Sequence, residues 1–363
     1  MRSVNDKTKV AVAMSGGVDS SVAAALLKEQ GYQVSGVTMQ IWDGEASAGS
    51  KRHACYGSGE EEDIEDARDV ARILGIDFHV FDLKQEYKDK VLDYFCGEYL
   101  SGRTPNPCVR CNRQIKFDIL ARKARQAGIE FDYFATGHYA RVEYDELKQR
   151  YLLKKARDRD KDQSYFISSL SQEQLSRALF PVGDYTKGEV RKMADKFGLA
   201  VGAKAESQDF IAGDYSALMG AMLPGPIMDD RGNILGEHRG IPFYTIGQRK
   251  KLGISAGEPL YVTGIDQGEN AVIVGSREGL YQDELVASEV NWIAVEKLEQ
   301  PVEVKARIRY RHMGATALVQ TMAAGRIHLK FEAPQRAITP GQTVVLYQGD
   351  MVLCSGRIEK AGR

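Results

Sequence analysis

No apolar run in this 363-residue chain reaches the length of about 18 residues that a bilayer span needs. The opening residues, 1–10, are polar and charged, unlike a secretory signal. Neither a membrane protein nor an exported one is expected, and the chain is placed in the cytoplasm. Cysteine is scarce: Cys55, Cys96, Cys108, Cys111 and Cys354 are five in all. An odd number in a large chain argues against a disulfide framework and for reactive or metal-binding thiols. Neither sign of charge is in excess, since 49 Lys and Arg face 50 Asp and Glu, so any nucleic-acid site must be a local basic patch. Repeats and low-complexity segments are also missing. What is present, 43% hydrophobic and 27% charged residues over a length too great for one ordinary core, predicts a globular protein of two or three domains.

The most informative segment is Ser15-Gly16-Gly17-Val18-Asp19-Ser20, which follows an apolar β-like run, 10–14, and opens a helix-like run. Adjacent glycines let the backbone approach a polyphosphate, and the first N–H groups of the following helix point at the anion along a favourable dipole. The loop contains no lysine, so it is not a Walker-type P-loop. A helix over 18–30, a strand over 34–39, a helix over 60–74 stopped by Gly75, and strands over 78–81 and 132–136 follow. Such alternation predicts a parallel sheet covered by helices, with ligands at the carboxyl ends of its strands, where Met39 and Gly137 lie.

Beyond about residue 212 glycine and proline become frequent and the intervening segments short, which predicts a small, mostly β domain over 213–287. From 288 to 363, alternating runs predict an antiparallel barrel. Within it, 302–311 alternates apolar residues with Glu303, Lys305, Arg307, Arg309 and Arg311, so a continuous strand there would carry a basic row on one face. A second basic run, 148–161, holds seven Lys and Arg against two Asp. Its aromatic neighbours Tyr151, Tyr165 and Phe166 suit either base stacking or a core.

Thiol chemistry concentrates in Thr104-Pro105-Asn106-Pro107-Cys108-Val109-Arg110-Cys111-Asn112-Arg113. The prolines make the approach rigid and non-helical, and Cys-x-x-Cys spacing lets two sulfurs meet in one turn. Arg110 and Arg113 are placed to favour the thiolate, the nucleophilic and metal-binding form. A persulfide or redox pair, half of a metal site and two inert thiols are the competing readings. Structural zinc lacks ligands, because the chain has no second Cys-x-x-Cys and no His-x-x-x-His.

Seven blocks in order extend this picture: 14–20, Thr104-Pro105-Asn106-Pro107, Cys111-Asn112 with Ile115-Lys116-Phe117, Ala135-Thr136-Gly137-His138-Tyr139-Ala140-Arg141, Lys161-Asp162-Gln163-Ser164-Tyr165-Phe166, Thr245-Ile246-Gly247-Gln248-Arg249-Lys250 and Arg309-Tyr310-Arg311. Through them the chain resembles, nearly end to end, the tRNA-specific 2-thiouridylases of the ATP pyrophosphatase group. That resemblance implies a catalytic domain over 1–212 that binds ATP through Ala13, Met14, Ser15, Gly16, Gly17, Val18, Asp19, Ser20, Met39 and Gly137. Asp19 and Ser20 would help hold Mg2+ and the phosphates. It further implies that Asn106, Pro107 and Cys108 lie at the target base, that Cys111 is the catalytic thiol, and that His138, Lys161, Asp162, Gln163, Arg309, Tyr310 and Gln342 contact tRNA. A persulfide or sulfide donor protein would supply the sulfur.

Two departures from the family pattern matter. Many members carry Asp where this chain has Cys108, and a second catalytic cysteine within a block resembling Glu-Ser-Gln-Asp-Ile-Cys-Phe, where this chain reads Glu206-Ser207-Gln208-Asp209-Phe210-Ile211. Either Cys108 and Cys111 divide the roles of persulfide carrier and resolving thiol, or they hold an iron-sulfur cluster with a third ligand from Cys55, Cys96 or Cys354. Ligand count favours the first. A tRNA-binding paralogue without thiolation activity is the non-enzymatic alternative.

Overall fold

A computed structural model describes residues 8–44, 54–199, 209–211, 215–255 and 257–362. The chain divides into two compact units, Met1–Val91 with Cys108–Tyr215 and Asp350–Val352, and Leu92–Pro107 with Ser216–Gly349 and Leu353–Arg363.

The first unit opens with β1 (Lys9–Ala13), α1 (Val18–Glu29) and β2 (Gln33–Gln40), then β3 (Ala54–Tyr56), α2 (Glu60–Leu74) and β4 (Asp77–Asp82). It continues through β5 (Tyr133–Thr136), a hairpin of β6 (Ala140–Asp145) and β7 (Arg150–Lys155), β8 (Ala178–Leu179) and β9 (Asp209–Ile211). The expected parallel sheet is present, in the order β4-β2-β1-β5-β8. Because β2 and β5 flank β1 on opposite sides, the carboxyl ends of β1 and β5 form the switch point at which such sheets hold ligands. α1 is rich in alanine, a strong helix former, and is buried almost all round. It shares one core with Val70 and Ala71 of α2 and with Val190 and Ala194 of the helix Lys187–Lys196. Four acidic residues in the first turn of α2 suit its positive dipole end.

Residues 84–126, left largely unassigned by sequence patterning, are mostly helical. The rigid approach predicted from the prolines holds only as far as Asn106, because Pro107 opens the helix Pro107–Cys111. The first helical position tolerates proline, whose missing N–H would be unpaired there anyway. That helix puts Cys108 and Cys111 three residues apart and therefore on one face. It runs into a π-helical stretch, Asn112–Leu120, a geometry frequent at functional sites.

In the second unit β10 (Gly225–Met228), β11 (Ile234–His238), β12 (Tyr261–Asp266) and β13 (Ala271–Gly275) form a sheet in the order β11-β10-β13-β12. Ile227, Val262, Val272 and Val274 are its buried core. The C-terminal region is a closed antiparallel barrel of β14 (Tyr281–Trp292), β15 (Val302–Arg307), β16 (Ala315–Thr321), β17 (Ile327–Arg336), β18 (Thr343–Gln348) and β19 (Met351–Gly362), closed by pairing of β14 with β19.

The predicted basic row is corrected here. β15 ends at Arg307, and the chain turns at 308–311. Arg307 causes the turn to close: its Nε donates to the His312 carbonyl at 3.0 Å and its Nη2 to that of Tyr310. Arg309 leaves the strand face and donates from Nη1 to the Arg336 carbonyl at 3.0 Å.

Candidate active site

The glycine loop joins the end of β1 to the start of α1. Ser20 Oγ draws the loop together, accepting from the Ser15 backbone N–H at 3.1 Å and lying 3.3 Å from Ser15 Oγ. Two glycines are required by close approach. Gly16 has φ +68°, and a Cβ there would stand 2.2 Å from the Asp63 carbonyl oxygen in the first turn of α2. A Cβ on Gly137, just past β5, would stand 2.4 Å from the Ser20 backbone nitrogen. The two strand ends thus converge on the α1 N-terminus, leaving a backbone-lined cradle of the kind that accepts phosphate oxygens. Met39, half-buried near the carboxyl end of β2, pairs with Phe81 on the adjacent strand. The chain beyond it is pinned by Glu60, whose carboxylate accepts from the backbone N–H groups of Ile41 at 2.7 Å and Trp42 at 3.1 Å. Burial pushes the Glu60 carboxyl above its usual range, partly offset by those two bonds.

A lysine does reach this loop, from a distant part of the chain. Lys187, the first residue of its helix, donates from Nζ to both carboxylate oxygens of Asp19 at 2.8 Å. Tyr139 donates its hydroxyl to Asp19 Oδ1 at 2.8 Å, and its ring lies 5.9 Å from the Lys187 ammonium. Sequence reasoning missed Lys187 because nothing in a lone lysine after a capping threonine ties it to a loop 168 positions away. Thr186 is indeed the helix cap, in a capping box with Glu189.

Cys108 is half-buried and Cys111 buried. Burial pushes the Cys108 thiol up to about 12 and that of Cys111 to about 11. The expectation that Arg110 and Arg113 favour the thiolates is not met: Arg110 turns its Nε to the Lys90 carbonyl at 3.0 Å. Lys116 is the cation that acts on both sulfurs, lowering each against the effect of burial. Among the described residues, no group of three or more His, Cys, Asp or Glu side chains is gathered closely enough to hold a metal ion. Among those described residues the three-ligand set an iron-sulfur cluster needs is thus not assembled. The 206–208 part of the altered cysteine block lies outside the described residues, and Cys354 is buried in the second unit.

Several residues expected at tRNA are engaged within the fold. Asp162 is buried, and its carboxylate accepts from the Ala156 and Ser164 N–H groups at 3.1 and 3.2 Å and from Ser164 Oγ at 3.0 Å. Gln163 accepts from the Tyr139 N–H through Oε1 at 2.9 Å. In the second unit Gln342 donates from Nε2 to the carbonyls of Thr104 at 3.2 Å and Pro105 at 2.9 Å, fixing the strand of chain that leads into Asn106 and Pro107. His138 hydrogen-bonds through Nδ1 with Thr136 Oγ1 at 2.8 Å, and burial, aided by Lys116, pushes its imidazole down to about 3. It is a neutral partner. In the basic run, Lys154, Arg157 and Arg159 pair with Glu143, Glu189 and Asp350. Tyr165 is fully buried core, not a stacking platform.

Comparison with known proteins agrees with this architecture. Residues 8–212 match the family model described as a tRNA methyl transferase HUP domain, 215–276 a PRC-barrel domain of the same group, and 282–358 an aminomethyltransferase β-barrel domain. Over 361 residues the chain is 49% identical to the tRNA-specific 2-thiouridylase MnmA of Desulforamulus reducens, covering 97% of each. Over 360 residues it is 51% identical to that of Moorella thermoacetica, covering 97% of this chain and 99% of the relative.

Proposed function

The chain belongs to the tRNA-specific 2-thiouridylase family, and from that premise we propose how its residues divide the work of ATP-dependent 2-thiolation of the wobble uridine of tRNA. The reaction class is that of a tRNA-uridine 2-sulfurtransferase. A uridine 2-oxygen is a poor leaving group, so the oxygen first attacks the α-phosphorus of ATP and pyrophosphate departs. Sulfur then adds at C2 and AMP leaves, carrying the former 2-oxygen.

Ala13, Met14, Ser15, Gly16, Gly17, Val18 and Ser20 form the phosphate cradle, with Met39 and Gly137 at its walls. Backbone donors at the α1 N-terminus offset the charge that builds on the transferring phosphorus. Asp19 and Ser20 are the residues that would hold Mg2+, which would offset the charge of the phosphates. Cys108, next to Asn106 and Pro107, receives the sulfur and attacks C2 through its persulfide. Cys111 then attacks the Cys108 sulfur of the resulting disulfide link, so 2-thiouridine leaves and a Cys108–Cys111 disulfide forms, which a dithiol reductant reopens. Lys161, Arg309 and Tyr310 contact tRNA, while Asp162, Gln163 and Gln342 shape the segments that do so. Bringing a base edge out of the anticodon stack requires that the nucleotide be turned out into a pocket. We read 1–212 as the catalytic domain, 213–287 as a small β domain and 288–363 as a tRNA-contacting barrel, all acting in the cytoplasm.

The observation that carries the division of labour is that one compact unit contains both the phosphate cradle and the Cys108/Cys111 pair. Incubation with unmodified tRNA, ATP, Mg2+ and a persulfide donor, followed by nucleoside mass analysis, should give 2-thiouridine, and Cys111→Ala should give none. Persistent tRNA binding with no 2-thiouridine from any donor would replace this reading with that of a binding paralogue.

A further inference from the structure

A groove on the flank of the first unit takes no part in the site described above. It has a volume of about 840 Å3 and is framed by the Asn112–Leu120 stretch and the helix Ala121–Gln126 that continues it, by the helix Gln172–Arg177, and by Phe134 of β5. Its walls are tied together. Gln174 donates from Nε2 to the carbonyls of Arg113 at 2.8 Å and Phe117 at 3.3 Å, while its Oε1 accepts from the Ser171 N–H at 2.9 Å. The floor is aromatic: the Phe134 ring lies 5.6 Å from that of Phe117 and 5.9 Å from that of Phe131, and all three are buried. A groove preformed in this way needs little reorganisation to take a ligand.

Its lining is basic, with Lys90, Arg113, Arg122, Arg125 and Arg177 set against Asp118 and Glu173. Arg122 stands 3.8 Å from Asp118. Among the described residues, Lys90, Arg113, Arg125 and Arg177 have no carboxylate within ion-pair distance. Arg125 spreads its guanidinium 4.2 Å from the centroid of the Phe131 ring. Partial burial, with the neighbouring Arg177 charge, pushes that guanidinium below its usual value. Cations gathered without counter-charge favour the entry of an anion. The basic runs visible in the sequence are engaged elsewhere: Lys154, Arg157 and Arg159 are ion-paired, and Arg307 and Arg309 hold backbone carbonyls. In a chain of net charge −1, the guanidiniums of this groove are the local basic patch that an RNA contact requires. Gln114 adds a group of the opposite sense. Its Oε1, shielded from solvent, has no hydrogen-bond partner among the described residues, so it can turn to a ligand donor without losing a bond. A phosphodiester offers no donor, whereas a ribose 2′-hydroxyl does.

We propose that this groove holds a stretch of ribose-phosphate backbone of the same tRNA whose base is presented at Cys108 and Cys111, with Arg113, Arg125 and Arg177 on phosphates and Gln114 on a 2′-hydroxyl. The proposal rests on the reading of tRNA as substrate, and its residues lie outside the tRNA contacts that the family pattern implies. Arginine suits the role because its planar fork takes two oxygens of one phosphate at once. The buried floor offers no face for a base to stack on, so the contact positions the RNA and carries no sequence information. Arg113 lies just beyond Cys111 on one continuous helical run that extends to Gln126. Arg125 is at most about 18 Å further along it, so a strand leaving the target nucleotide can follow the groove.

Equilibrium tRNA binding tests this apart from any sulfur chemistry. Unmodified tRNA is titrated into the full-length protein at several salt concentrations, with ATP affinity measured alongside as a check of the fold. The variant Arg113→Gln/Arg125→Gln/Arg177→Gln should bind tRNA at least about tenfold more weakly at low salt, and its plot of log affinity against log salt should be flatter by about two units. Its ATP affinity should match wild type. The corresponding triple replacement by lysine keeps the charge, so it should keep the wild-type slope. Gln114→Leu should weaken binding of tRNA while leaving that of a DNA copy of the same sequence unchanged. Wild-type affinity and slope in the glutamine variant would overturn the proposal. So would unchanged tRNA binding together with a loss of sulfur delivered by a protein donor, since the groove would then dock that donor. If the glutamine variant loses tRNA as expected but wild type makes no 2-thiouridine from any donor, the groove stands and the thiolation reading fails.

Discussion

Lys187 holds Asp19 by a symmetrical pair of 2.8 Å contacts, from Nζ to both carboxylate oxygens, at the opening of the phosphate cradle. The ammonium is little exposed, its side chain at 10%, whereas that of Asp19 is at 26%. A cation so placed offsets the charge of Asp19, and on the proposed ATP-binding reading it would stand beside the phosphates, supplying from another helix the lysine that a Walker loop carries in its own sequence.

Lys187→Met should therefore raise the KM for ATP at least about tenfold, ~1.4 kcal/mol. It should also destabilise the fold by about 2 kcal/mol, the usual cost of removing a partner from a charged hydrogen bond. Lys187→Arg should recover most of the stability but less of the ATP affinity, since a planar guanidinium cannot copy a compact ammonium. ATP titration and urea unfolding of both variants check this; an unchanged KM in Lys187→Met would remove Lys187 from the phosphate site.

Gly137→Ala tests the second wall of the cradle. The added methyl would lie 2.4 Å from the Ser20 nitrogen and 2.6 Å from the Asp19 carbonyl carbon, both backbone atoms that cannot rotate away. The start of α1 must shift, and the expected result is a loss of ATP binding by two orders of magnitude or more with tRNA affinity retained, read by separate titrations of the two ligands.

Much of the fold is legible in the sequence. The 60–74 helix coincides with α2, and the strand over 34–39 lies inside β2, because long periodic segments bounded by glycine declare themselves locally. The glycine loop was equally plain, since its chemistry is contiguous. Less legible was whatever depends on distance along the chain. Lys187 at Asp19 and Lys116 at the thiols are brought there by packing, and no local pattern encodes them. The basic row failed for a different reason: alternation predicts a strand, but Arg307 satisfies two turn carbonyls and ends it, so that one side chain overrides the pattern.

The thiol environment predicts a rate that climbs with pH. With Cys111 pushed up to about 11 and Cys108 to about 12, both are almost wholly protonated near neutrality. If the thiolate of either is the attacking form, single-turnover thiolation should rise about tenfold per pH unit between pH 7 and 9. Lys116→Met removes the cation that favours both thiolates and should lower the rate throughout while moving the rise to higher pH; Lys116→Arg should restore it. A flat profile in wild type would show that sulfur attack by these thiols does not limit the reaction.

His138 gives the opposite pH signature, in stability rather than rate. Burial and Lys116 hold its imidazole down to about 3 in the folded protein, whereas an unfolded histidine ionises near 6.5, an ordinary value. The folded state thus prefers the neutral ring, and its contribution to stability is complete above pH 6.5 and falls away as pH drops through that value toward 3. Between pH 6.5 and 5 this one group should cost about 2 kcal/mol. His138→Gln keeps a neutral hydrogen-bonding side chain next to Thr136 and cannot charge, so urea unfolding should show its stability declining less on acidification by about that amount. Direct titration of the wild-type ring should show no protonation between pH 8 and 5. A midpoint near 6.5 would mean that the ring is solvated and able to meet a tRNA phosphate as a cation.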